Sequence, residues 1–116
     1  MSVHELVTGW LTLRQVADRL GVSPNKVRQM VRDRQLSALR HTGAREPEVP
    51  AEMLHGDTVV KGLTGTLTLL ADAGYDEEQA VRWLFTADDS LPGRPIDALR
   101  ENRGTEVRRR AQALAF

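Results

Sequence analysis

The tetrapeptide Gly21-Val22-Ser23-Pro24 constrains this chain more than any other feature. Glycine takes the left-handed conformation that closes a helix at little steric cost. Ser-Pro opens the next helix: the hydroxyl accepts from an amide one turn on, and proline sits where no N–H is needed. The residues on either side agree with this punctuation. Before it, Thr12 with Gln15 three residues later forms a capping box, and Leu13, Val16, Ala17 and Leu20 recur at i, i+3, i+4 and i+7. After it, Val27, Met30 and Val31 form the expected buried face of a second helix, and Leu36 and Leu39 continue the apolar pattern. Two amphipathic helices joined by so tight a turn meet along their apolar stripes at a steep angle.

Beyond Leu39 the periodicity changes. Residues 38–41 and 46–49 predict two short strands around Thr42-Gly43-Ala44, with Gly43 supplying the turn. Pro47 and Pro50 make the return strand an irregular edge. One helical turn is expected from Pro50 to Leu54, and Gly56-Asp57 then punctuates the chain. The remainder predicts helices. Val59, Leu63, Leu67 and Leu70 share a face that ends at Gly74, with Gly62 and Gly65 weakening its start or admitting close packing. Asp76 caps a helix lined by Ala80, Val81, Leu84 and Phe85. A loop covers 87–95, Ile96 and Leu99 anchor a short turn, and Thr105 begins a last helix with Val107, Ala111 and Leu114 inward.

Only 4% of the 116 residues are aromatic, so Leu, Val and Ala must build the core, with Trp83, Leu84 and Phe85 as its largest fillers and Trp10 as a staple to the second half. The absence of cysteine excludes disulfides, thiolate metal sites and a thiol nucleophile. No apolar run approaches the ~20 residues that span a bilayer, and the N-terminus lacks a signal-peptide pattern, so a cytoplasmic protein is expected. The net charge of zero conceals a dipole. Residues 10–45 carry eight cations and two anions, a balance of +6, whereas residues 46–116 carry eight cations and thirteen anions, a balance of −5. The front of the chain can attract a polyanion while the whole protein does so weakly at long range.

Catalytic chemistry has little to stand on. His4, His41 and His55 lack metal-ligand spacing. Asp76-Glu77-Glu78 and Asp88-Asp89 fall at helix ends and loops, where capping accounts for them. No phosphate loop follows a strand and no Ser/His/Asp order suggests a nucleophile. Neither an enzyme, a cofactor nor a metal is expected. Arg108-Arg109-Arg110 point in three directions on a helix and are read as surface charges near Glu101 and Glu106.

The two-helix unit has a sharper reading. With Val27, Met30 and Val31 turned inward, the second helix presents Asn25, Lys26, Arg28, Gln29 and Arg32 outward. Arg pairs with guanine, Asn or Gln with adenine, and Lys with backbone oxygens. This is helix-turn-helix spacing, which projects a second helix into the major groove. Arg28, Gln29 and Asn25 are the expected base readers, and Lys26 and Arg32 the expected phosphate contacts. The positive end of the helix near Ser23 also favours a phosphate.

The run LTLRQVADRLGVSPNKVRQMVRDRQLSALR resembles the helix-turn-helix of excisionase- and MerR-type DNA-binding proteins. That resemblance implies a β-hairpin wing over Ala38–Val49, with Arg40, His41 and Arg45 contacting phosphates or the minor groove. Pro47-Glu48 departs from the family pattern, whose return strand reads basic or aromatic then apolar. The stretch from Gly74 to Phe116 is similar to the C-terminal helical domain of small actinobacterial DNA-binding proteins that carry this motif in front. Its tail, LPGRPIDALRENRGTEVRRRAQAL, is also similar to the toxin-binding end of MbcA/ParS/Xre-type antitoxins.

The expected fold is therefore mainly α: a winged helix-turn-helix followed by a C-terminal helical bundle. Its divisions are a lead-in at 1–9, the winged unit at 10–56 and the helical domain at 57–116. The expected function is a DNA-binding transcriptional regulator associated with the nucleoid. The competing reading is a protein-interaction or antitoxin-like module working through the C-terminal helices. Double-stranded DNA is the expected partner, with a homodimer or a small protein partner through the C-terminal domain, and no membrane.

Overall fold

The computed structural model of the protein describes residues 2–115. A short helix α1 (Val3–Leu6) precedes strand β1 (Trp10–Thr12), helices α2 (Leu13–Leu20) and α3 (Pro24–Arg32), and strand β2 (Glu48–Pro50). A 3-10 turn (Ala51–Met53) leads to strands β3 (Leu54–His55) and β4 (Thr58–Val59). Four helices close the chain: α4 (Leu63–Asp72), α5 (Glu77–Phe85), α6 (Pro95–Arg100) and α7 (Gly104–Ala113).

The helix-turn-helix forms as its capping chemistry requires. Thr12 and Gln15 exchange side chain-to-backbone hydrogen bonds of 3.1 and 2.8 Å. Gly21 takes φ 70° and its N–H donates to the Ala17 carbonyl. Ser23 Oγ accepts from the Lys26 amide at 3.1 Å, with Pro24 in the first turn. Helix α3 packs on α2 through Val27, which is fully buried. Met30 and Val31, expected to be buried beside it, are half-buried.

The wing is narrower than the two strands expected at 38–41 and 46–49. A single antiparallel bridge joins Leu39 to Glu48, with reciprocal hydrogen bonds of 2.9 and 2.8 Å. Prolines 47 and 50 lack the N–H a longer ladder needs. Strand β2 pairs on its other side with β1, in the register Trp10–Pro50, Leu11–Val49 and Thr12–Glu48. The wing tip turns at Gly43, where φ is +81° and the Ala44 amide donates to the His41 carbonyl.

Two further elements differ from expectation. Residues 1–9 are more than a lead-in, because α1 packs on α5 and buries Val3, as well as Val7 just beyond it. Val59 lies in a strand rather than on the α4 face, since β3 and β4 form a tight hairpin turning at Gly56-Asp57. Strands of two residues are too short to show an alternating pattern.

A continuous apolar core runs through both halves. Val16, Val27, Leu36 and Val49 from the front join Met53, Leu63, Leu67, Leu70, Leu84, Ile96, Leu99 and Val107 from the back. Leu84 and Phe85 are buried as expected, whereas Trp83 is half-buried at the surface. Gly62 lets α4 approach α6 and α7: a Cβ there would stand 3.2 Å from Leu99 Cδ2 and 3.4 Å from Arg108 Nη1. Polar links also cross between the halves. Arg94 donates to both carboxylate oxygens of Glu52, and Arg100 to the carbonyls of Glu52 and Leu54. Winged unit and helical bundle are thus held as one body.

Candidate nucleic-acid interface

Because α3 buries one face on α2, its other face is left to solvent. Ser23, Asn25, Lys26, Gln29 and Arg32 lie there at least partly exposed, and Arg28 presents about two-fifths of its side chain. The segment from Leu36 to Leu39 is buried and ties the end of α3 to the wing. Its Ala38 amide donates to Glu77 Oε1 at 3.3 Å, so the first turn of α5 fixes the connection. Burial raises the Glu77 carboxyl above the usual carboxylate range, against the opposing pull of that amide and of Arg34.

Four arginines of the back half are bonded inside the protein, while Arg108 and Arg109 make no such side-chain bond among the described residues. In the back half, Arg94 binds Glu52 and Asp97, Arg100 binds two carbonyls, Arg103 binds Glu101, Glu106 and the Leu91 carbonyl, and Arg110 binds Ser90 and the Glu106 carbonyl. Around α3 and the wing, the side chains of Arg32, Arg40, Arg45 and Lys26 make no hydrogen bond or ion pair among the described residues. Free cations flanking an uncovered helix can neutralise phosphates without first breaking internal bonds.

Four of the sequence-predicted residues, Ser23, Asn25, Arg28 and His41, are engaged inside the protein. Ser23 caps α3. Arg28 Nη1 donates to Asn25 Oδ1 at 3.0 Å, and its Nη2 lies 3.4 Å from Glu46 Oε1 on the wing. His41 belongs to a ring cluster at the base of the wing, 4.3 Å from His4 and 4.7 Å from the edge-on ring of Trp10 between centroids. Its Nε2 lies 3.0 Å from Glu48 Oε1 without the geometry of a hydrogen bond. Trp10 thus packs against His41 of the wing and His4 of α1. Sequence reasoning misses Glu46, because it lies eighteen residues from Arg28 and carries the charge opposite to that sought.

Elsewhere, Tyr75, Gln79, Arg82, Trp83 and Asp89 line an open groove of about 720 Å³ along α5. No described helix is long and apolar enough to cross a membrane.

Known proteins share this arrangement. Residues 5–54 match the family model described as "DNA-binding protein Rv2175c, wHTH domain", and residues 60–115 match "Rv2175c C-terminal domain of unknown function". The DNA-binding protein Rv2175c of Mycobacterium tuberculosis strain H37Rv is 41% identical over 117 residues, covering 90% of this chain and 79% of the relative. The NMR structure of Rv2175c superposes with a TM-score of 0.83 at 39% identity, covering 93% of this chain and 82% of that one. With both domain models matched in order and one relative aligned along nearly the whole chain, this protein belongs to the Rv2175c family of winged helix-turn-helix DNA-binding proteins.

Proposed function

We propose that the protein binds double-stranded DNA and regulates transcription, in the cytoplasm at the nucleoid, as a binding protein rather than an enzyme. Helix α3 enters the major groove in the manner of excisionase- and MerR-type domains. Arg28, Gln29 and Asn25 read base edges, and Lys26, Arg32, Arg40 and Arg45 hold phosphates. The α3 N-terminus at Ser23 faces a phosphate. His41 supports the base of the wing. Residues 10–56 are the DNA-contacting unit, and residues 57–116 brace it.

The observation carrying this reading is the group of unpaired cations beside α3. Arg32, Arg40 and Arg45 stand beside an uncovered α3 with no partner among the described residues, whereas Arg94, Arg100 and Arg103 are bonded internally. One module reaches few phosphates, so two copies on half-sites ~34 Å apart supply the affinity. Selection of bound duplexes from a random pool, at two salt concentrations, tests the proposal. A recovered consensus that persists at the higher salt supports it. Binding that follows salt alone, with no consensus, refutes sequence-specific regulation.

A second role is favoured by the groove beside Trp83 and Tyr75, whose half-buried rings offer an apolar floor to a protein partner. In this reading the C-terminal helices bind a small protein, in the manner of the antitoxins their tail resembles, while the front binds DNA. Trp83→Ala should then weaken a co-purifying partner and leave DNA binding intact.

A further inference from the structure

We infer that the cleft between Lys61 and Arg108, where the start of α4 meets α7, binds a phosphate group. Neither cation has a part in the contacts proposed for α3 and the wing.

Arg108 is unlike its neighbours. Arg103 and Arg110 are half-buried and held by acceptors: Arg103 by Glu101, Glu106 and the Leu91 carbonyl, Arg110 by Ser90 and the Glu106 carbonyl. Arg108 is half-buried too, yet its guanidinium meets no acceptor among the described residues. A cation drawn partly out of water normally gains hydrogen bonds in exchange. Glycines keep it in place instead. A Cβ on Gly62 or Gly104 would stand 3.4 or 3.3 Å from Arg108 Nη1, and one on Gly65 would stand 3.6 Å from its Cδ. Side chains at Gly62 and Gly104 would push against the guanidinium.

Lys61 reaches the same cleft from the link between β4 and α4. With Gly62, Asn102, Gly104, Thr105 and Arg108 it encloses about 160 Å³. That is well below the ~300 Å³ of the smallest pockets for drug-sized ligands, and it suits a small oxyanion. None of these six residues is acidic, and the nearby Glu101 and Glu106 are taken by Arg103. The oxygens of a tetrahedral phosphorus point apart, so a lysine and an arginine arriving from different elements can each take one. The two oxygens of a carboxylate lie in one plane and suit a single guanidinium fork.

Two sources carry a phosphate group. Thr64 Oγ, three residues beyond Lys61, donates to the Gln35 carbonyl at 3.2 Å, which places the cleft close to the chain leaving α3. A backbone phosphate of DNA flanking the major-groove site is therefore one source. Free phosphate is the other.

The test titrates inorganic phosphate, and separately acetate, into the full chain at constant ionic strength, following the amide NMR signals of Gly62, Gly104 and Thr105. Phosphate should move these signals to saturation, and acetate at the same concentrations should not. Lys61→Gln and Arg108→Ala should each raise the half-saturating phosphate concentration by about fivefold. Arg109→Ala, on the exposed side of α7, should leave it unchanged. Lys61 is exposed, so Lys61→Gln remains informative if Arg108→Ala loosens α7 from α4. Signals that phosphate does not move, equal movement by acetate, or an equal effect of Arg109→Ala overturns the inference.

A second arm separates the sources. The double variant Lys61→Gln/Arg108→Ala is compared with wild type on a duplex extending one helical turn beyond the consensus recovered by selection, over a salt series. A slope flatter by about 1 assigns the cleft to the DNA backbone. An unchanged slope assigns it to free phosphate. Wild-type protein that binds no duplex would count against the reading of α3, and the phosphate titration would still decide the cleft.

Discussion

Arg94 and Glu52 are joined by two parallel hydrogen bonds, of 2.9 and 3.1 Å, that connect α6 of the helical bundle to the 3-10 turn behind the wing. The same guanidinium also binds both oxygens of Asp97 and lies 5.4 Å from the centre of the Phe85 ring. A planar fork matched to two carboxylates fixes orientation as well as distance. Truncating it should loosen the winged unit from its support. Arg94→Met is expected to cost about 2 kcal/mol in urea unfolding. Glu52→Gln in the Arg94→Met background should add little, and full additivity of the two losses would show that they are not coupled.

Asp97 makes the clamp sensitive to acid. Its hydrogen bonds from Arg94 hold its carboxyl below the usual aspartate range. The stabilisation is thus present above the unfolded value of about 3.9 and is lost as pH falls through the lower folded value. Asp97→Asn should lower Tm at neutral pH, and the gap to wild type should narrow below about pH 4. A gap that is constant across a pH series of melts would contradict this.

Glu77 has the opposite sign. Burial raises its folded value, so ionisation costs the folded state stability as pH rises above the unfolded value of about 4.3. Gln keeps an acceptor for the Ala38 amide without the charge. Glu77→Gln should therefore melt higher than wild type at neutral pH and coincide with it near pH 4. A lower Tm at neutral pH would mean that attraction to Arg34 outweighs desolvation.

Gly62 is required twice, by its φ of +86° and by the contact of 3.2 Å that a Cβ would make with Leu99. Gly62→Ala should destabilise by about 2–3 kcal/mol, combining the left-handed penalty with overpacking. Gly43→Ala supplies the control, since φ is +81° there but no atom lies within 4 Å. It should lose only about 1 kcal/mol. Equal losses would remove the packing argument for Gly62.

On DNA, Arg28→Ala and Arg40→Ala should separate base reading from phosphate holding. Loss of Arg28 should relax sequence preference at one position and weaken the preferred duplex by about 1–3 kcal/mol. Loss of Arg40 should weaken all duplexes alike and flatten the salt slope by about 1. An unchanged slope would take the wing out of the interface.

The front of the chain was legible because its signals are local. Capping boxes, a left-handed glycine and a 3.6-residue stripe act within one or two turns, so Thr12, Gly21 and Ser23 specify α2, the turn and α3 before any long-range contact forms. The same holds for α5, whose Asp76–Gln79 box closes at 2.8 and 2.9 Å. Outward positions on α3 followed from the stripe, with Arg28 as the exception, its charge shared with a carboxylate eighteen residues away.

The sequence by itself therefore determined the main helices, much of the apolar face that each turns to the core and the face that α3 leaves free. Tertiary structure alone decided how the wing is paired, where α1 docks, and which arginines remain unbonded. Strand β2 is shared between Leu39 and β1, which are distant in sequence, and no local pattern encodes that choice. Arg94 and Arg40 are chemically the same side chain. One is clamped by Glu52 and Asp97 and the other is exposed to solvent, because folding brought carboxylates to the first and left the second facing water. Electrostatic partners across a fold are set by packing, and a cation's role is read only once its neighbours are in place.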